Sequence, residues 1–189
     1  MGYIRGFVPW IASGVVSAVA DWRWGAVAGF VTGVLLLLQD RRRGVALDAL
    51  VLEASSIIYF AVIGTYAFIS PDSAVAEYNG TLSFVWLAGT AWFSLAVHRP
   101  FTLGIARRQA PEEYWNHPGF IAVNNVITAV WAGGFTFIFV ALTVCELTDA
   151  SGWLQGLAHG VGLVVPAVVT KVYPARIQAR MAALRPQAG

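Results

Sequence analysis

Two acidic side chains stand where an apolar helix is expected. Asp48 and Glu53 fall at the start of the stretch Leu47–Ile69, which otherwise reads as a span. An ionisable group within a span is costly and marks a functional site by default. Glu53 is expected about two turns into that helix, at about 1.5 Å per residue. Burial there favours its neutral form unless a cation lies near. Such a carboxyl can serve as packing glue, proton carrier or general acid. Arg99 and Arg107 are the expected partners. At 100° per residue Asp48, Ser55, Tyr59 and Tyr66 share one face, and Glu53 points nearer Ser56 and Phe60. The candidate catalytic set is therefore Glu53, Asp48 and Tyr59.

Aromatic and amide side chains complete the candidate set. Trp86, Trp92 and Trp131 lie deep in predicted spans and are candidate substrate walls, able to stabilise a cation over a ring face. Asn124 and Asn125 open the fifth span, with Asn124, Thr128 and Trp131 on one face. His159 and Gln155 share a face on the last span. Interhelical hydrogen bonding explains such polar groups equally well. His98 and His117 are both on the inner side, and a metal site from them needs a third ligand, for which Glu112 or Glu113 is the candidate. Cys145 reads as a small buried hydrophobe. No phosphate-binding loop, serine elbow or zinc motif is present, so neither a cofactor nor a metal is expected.

The elements that must hold these residues follow from composition. Of 189 residues 58% are hydrophobic and only 12% are charged, which excludes an ordinary soluble domain. A net charge of +2 is too balanced for a nucleic-acid binder. Six predicted spans cover about Ile4–Ala20, Trp24–Leu38, Leu47–Ile69, Leu82–Val97, Phe120–Cys145 and Trp153–Val172. The first two are short and form a hairpin; a surface-lying first segment would leave five crossings. With both termini inside, eleven of the twelve basic residues lie on the cytoplasmic side and only Arg23 lies outside. Asp21, Asp72, Glu77, Glu146 and Asp149 fall opposite. The expected fold is an all-α polytopic bundle in a bacterial plasma (inner) membrane. Its single domain covers residues 1–174, followed by a basic tail, 175–189.

Local patterns add detail. Trp10, Trp22, Trp24, Trp115 and Trp153 are expected near span ends. Gly25, Gly29 and Gly33 form a small-residue stripe for close helix contact, and Gly156, Gly160 and Gly162 suggest another. Gly133-Gly134 and Pro166 are candidate helix breaks. In the inner segment His98–Gly119, Phe101–Arg108 reads as a short helix lying on the membrane surface, anchored by Phe101, Leu103 and Ile105. Pro111–Trp115 reads as a further helical turn, since Pro111, Glu112 and Glu113 suit a helix start.

The order of these features resembles the intracellular septation protein A family of small bacterial inner-membrane proteins. The residues that carry the resemblance are Arg99-Pro100-Phe101, Trp115, Asn124 or Asn125, and Trp131-Ala132 with Phe135. It implies a role in cell-envelope maintenance or division through other membrane proteins, with no assigned catalytic residue. Two other readings follow from the residues: an intramembrane cyclase or transferase for a lipid or isoprenoid, with Glu53 or Asp48 as acid, and a small proton-coupled transporter. The bilayer is the expected surroundings in every case, and a homo-oligomer suits the transporter.

Overall fold

The computed structural model describes the backbone of residues 2–183 and the side chains of residues 5–47 and 49–177. Within these residues there are seven α-helices and no strand. They are α1 (Gly2–Val19), α2 (Trp22–Arg42), α3 (Val51–Ile69), α4 (Asn79–Ala96), α5 (Phe101–Arg107), α6 (Pro118–Leu147) and α7 (Gly152–Ala183). Four helices, α2, α3, α6 and α7, are long and apolar enough to cross a membrane, and α4 with α5 makes a fifth candidate. Their outward faces carry Leu35, Val62, Phe93, Val140 and Val168, all exposed. An apolar solvent accommodates such a belt. In α1 the apolar part, Arg5–Val19, is shorter than a full crossing.

Two three-helix layers make up the bundle. Helix α2 packs between α1 and α3, and α6 packs between α4 and α7. Small residues permit both approaches. A side chain at Gly25 would strike Ser17 and Ser13 of α1, and one at Gly29 would strike Phe60 of α3. The predicted stripe therefore serves two partners, one on each side. Gly134 of α6 and Gly162 of α7 meet backbone to backbone, with Pro166 alongside. Neither Gly133-Gly134 nor Pro166 interrupts its helix. Gly156 and Gly160 face open space.

Polar pairs join the layers and fix α3 antiparallel to α4. Ser55 and Thr90 hydroxyls are 2.7 Å apart, Trp86 Nε1 donates to Ser55 Oγ at 2.8 Å, and Tyr59 meets Ser83 at 3.0 Å. On the opposite side of the second layer, Thr81 Oγ1 donates to Glu146 at 2.7 Å.

The largest departure from expectation is α5. Phe101, Thr102, Leu103, Gly104 and Ile105 are all buried, so this helix enters the bundle instead of lying on the membrane surface. The chain turns by 78° between α4 and α5. His98 makes the turn in the left-handed region at φ 57°, a position that usually selects glycine. Ser94 Oγ then accepts the N–H of Phe101 at 3.2 Å, satisfying a free donor at the start of α5. Inside, Gly104 lies against the backbone of Ala49. Thr102 Oγ1 donates to the carbonyl of Asn124 at 3.0 Å and sits 2.7 Å from Thr128 Oγ1. A helix with a bare glycine and a hydroxyl on its faces can dock at depth; Phe101, Leu103 and Ile105 are core residues and not anchors in lipid. Pro111 precedes a 3-10 turn, Glu112–Tyr114, as expected.

Candidate functional site

The end of the bundle at which α1, α3 and α6 begin and α2, α5 and α7 run out gathers polar and charged side chains into two neighbouring places. The first is a cluster of ions. The predicted span Leu47–Ile69 is broken: Leu47–Ala49 forms a separate 3-10 turn, and Leu50 has a non-helical backbone before α3 starts. Glu53 is thus in the first turn of α3, not two turns deep. That register sets it level with the end of α2, where Asp40 is buried at 2% exposure. Arg5 of α1 grips Asp40 with two nitrogens, Nη2 to Oδ1 at 2.9 Å and Nε to Oδ2 at 3.1 Å. Arg108, just past α5, reaches the same carboxylate at 3.3 Å and Glu53 Oε1 at 3.6 Å. Its Nη2 also donates to the carbonyl of Ala49 at 2.6 Å.

Two guanidinium groups face two carboxylates, so the cluster is balanced in formal charge. It ties α1, α2, α3 and the exit of α5 together. Arg108 is the partner of Glu53 in this cluster. Arg107 instead stacks over the Trp115 ring at 5.7 Å, and Arg99 is exposed. The side chain of Asp48 lies outside the described residues.

The second place is a groove of about 1200 Å³ between α6, α7 and the segment that follows α5. The contact of Gly134 with Gly162 and Pro166 holds α6 against α7 on one side of it. Trp131 Nε1 bridges the two helices by donating to Thr170 Oγ1 at 2.9 Å. The wall includes Phe7, Phe120, Ile127 and Trp131, with Lys171, Asn124, Gln109 and His117 among its polar points. Phe7 stacks on Trp131 with ring centres 5.0 Å apart. The amide of Asn124 is oriented by its own helix, Nδ2 donating to the Phe120 carbonyl at 2.9 Å. That leaves Asn124 Oδ1 buried with no donor among the described residues. Buried acceptors of this kind are uncommon and call for an explanation.

The candidate residues therefore separate into three groups. Glu53 belongs to the ion cluster. Asn124 and Trp131 belong to the groove. Tyr59 and Trp86 form a third cluster, 5.6 Å between ring centres, with Trp10 and Phe60 packed on Tyr59 at 5.0 and 5.1 Å. Trp10 is thus an interior residue of α1 and does not mark a span end. Trp92 and Asn125 are exposed, with Trp92 Nε1 donating to Thr136 at 3.1 Å. His159 packs edge-on to Phe84 and bonds the Gln155 carbonyl at 2.7 Å. Cys145 is buried. No group of three metal-ligating side chains occurs among the described residues.

Arg5, Asp40, Arg108 and Lys171 are site residues absent from the candidate set drawn from the sequence, where the three cations count only among the inner-side basic residues and Asp40 has no assigned role. One signal was available for Asp40. It is an acid directly ahead of Arg41-Arg42-Arg43, on the side where basic residues collect. These geometries define an all-helical protein with several helices of membrane length and a cavity at its arginine-rich end. No family model, curated protein or solved structure matches the chain.

Proposed function

We propose that this protein is a polytopic protein of the bacterial inner membrane that holds an amphiphile in the groove between α6 and α7, as part of an envelope-maintenance role. The groove is the observation that carries the reading. Its volume exceeds the roughly 300–1,000 Å³ of ordinary small-molecule pockets, which suits a ligand with a hydrocarbon chain. Its wall mixes aromatic and aliphatic side chains with a few polar points, the composition expected of an amphiphile site. The envelope role is the one implied by the resemblance to septation protein A.

The same reading takes six crossings with both termini in the cytoplasm, α1 pairing with α2 as a hairpin and α5 entering from the inner side. The segregation of arginines supports that orientation. Acid catalysis by Glu53 has less support, because Glu53 pairs with Arg108 in the ion cluster while Tyr59 and Trp86 pack in a separate aromatic cluster.

The test is retention of lipid through purification. Full-length protein extracted in a mild detergent should carry near-stoichiometric lipid by mass spectrometry. Ala167→Trp, which fills the groove from α7, should lose most of it while melting normally. Equal retention by both proteins would refute the reading.

A further inference from the structure

The polar points of the groove define which amphiphile it accepts. Lys171 lines it and is exposed, and no Asp or Glu lines it with Lys171. Lys171 makes no ion pair among the described residues, in contrast to Arg5, Arg23 and Arg108, each of which has a carboxylate. A cation facing an apolar wall without a counter-ion attracts an anion, and an anion attached to a chain satisfies both features. Asn124 supplies the second, independent observation. It is 2% exposed, lines the groove, and its Oδ1 lacks a donor. The Phe120 carbonyl holds Nδ2, which leaves the Oδ1 acceptor of this amide for a hydroxyl or amine from elsewhere.

We infer that the groove binds an anionic phospholipid whose head group carries a hydroxyl. Lys171 counters the phosphate, Asn124 Oδ1 accepts the hydroxyl, and Phe7, Phe120 and Trp131 cover the chain. The inference rests on the amphiphile-binding reading above and adds the chemistry of the head group. Lysine is suited to this task because its ammonium acts as a mobile point charge on a flexible stem. A zwitterionic lipid carries its own ammonium beside the phosphate, which reduces the attraction.

The experiment is titration of the full-length protein in neutral detergent with dioleoylphosphatidylglycerol or dioleoylphosphatidylcholine, with bound lipid counted by native mass spectrometry. The expected preference for phosphatidylglycerol is about 5-fold, the equivalent of roughly 1 kcal/mol per lysine near an anionic lipid. Lys171→Gln should reduce the preference, weakening phosphatidylglycerol binding more than phosphatidylcholine binding, and Lys171→Arg should preserve it. Asn124→Leu, similar in size, should weaken phosphatidylglycerol binding about 5-fold. Inorganic phosphate at millimolar concentration should not displace the lipid. Equal binding of the two lipids by the unaltered protein would overturn the head-group inference and leave amphiphile binding standing. Binding of neither lipid would overturn both. A preference left unchanged by Lys171→Gln, or full displacement by inorganic phosphate, would overturn the assignment of a lipid phosphate to Lys171.

Discussion

The ion cluster and the groove lie at the same end of the bundle and meet at α1, where Gly6 abuts Leu52 and Glu53 while its neighbour Phe7 lines the groove. They differ in how their polar groups are satisfied. In the cluster, Asp40 receives two arginines, and Arg108 divides its donors among Asp40, Glu53 and Ala49. In the groove, Lys171 and Asn124 Oδ1 have no such partners among the described residues. A closed network spends its charges on holding helices together. An open set of polar groups beside a cavity is available to a ligand. Charge in a membrane helix is thus an ambiguous functional signal, and the state of its partners resolves the ambiguity.

The contrast predicts that breaking the cluster damages the fold and that altering the groove damages binding. The largest effect is expected for Asp40→Ala, which leaves Arg5 and Arg108 partly buried without their shared carboxylate. Loss of one partner of a buried pair costs about 3–5 kcal/mol. A thermal melt followed by circular dichroism in detergent should show this, and a change below about 1 kcal/mol would contradict the role of the cluster as a clamp.

Next is Gly104→Val in α5. Its new side chain would meet the backbone of Ala49, which cannot rotate away. Overpacking of this kind costs about 1–3 kcal/mol. A surface-lying α5 would tolerate the change, so the same melt distinguishes the buried helix from the surface helix. Thr102→Val removes a hydroxyl shared between Thr128 and the Asn124 carbonyl. Hydrogen bonds within membranes average about 0.6 kcal/mol, and a loss of up to about 1.7 kcal/mol is expected here because the site is fully buried.

Glu53→Gln should cost less than about 1 kcal/mol, since the separation from Arg108 is 3.6 Å and that arginine keeps two other partners. A loss as large as that of Asp40→Ala would move Glu53 to the centre of the cluster. The smallest effect belongs to Asp21, outside the spans at the start of α2. Hydrogen bonds from Arg23 hold its carboxyl below the ordinary value. A depressed acid stabilises the fold above its unfolded pKa, and the contribution fades as the pH falls below about 4. Being at the surface, the pair should give a visible carbon-13 titration of Asp21 but no resolved change in melting temperature.

The helices were legible in the sequence because hydrophobic run length is a local property. The expected Trp24–Leu38 and Phe120–Cys145 became Trp22–Arg42 and Pro118–Leu147, extended by two to four residues at each end. The end-to-end segregation of arginine was equally plain. The candidate site was legible only in pieces: Glu53, Asn124 and Trp131 stood out as polar or aromatic residues in apolar runs. Their grouping did not, because partners such as Asp40 and Arg108 are 68 positions apart in the chain. Two local events decided that grouping. Leu50 breaks the helix and lifts Glu53 to the end of the bundle, where arginines can reach it. His98 and Pro100 turn the chain so that α5 enters the core and delivers Arg108 to Asp40. Hydropathy registers how apolar α5 is, and that quantity is the same for a helix facing lipid and a helix facing other helices. Packing decides between the two, through the bare face at Gly104 and the hydroxyl of Thr102, and it is this packing that separates the satisfied charges from the free ones.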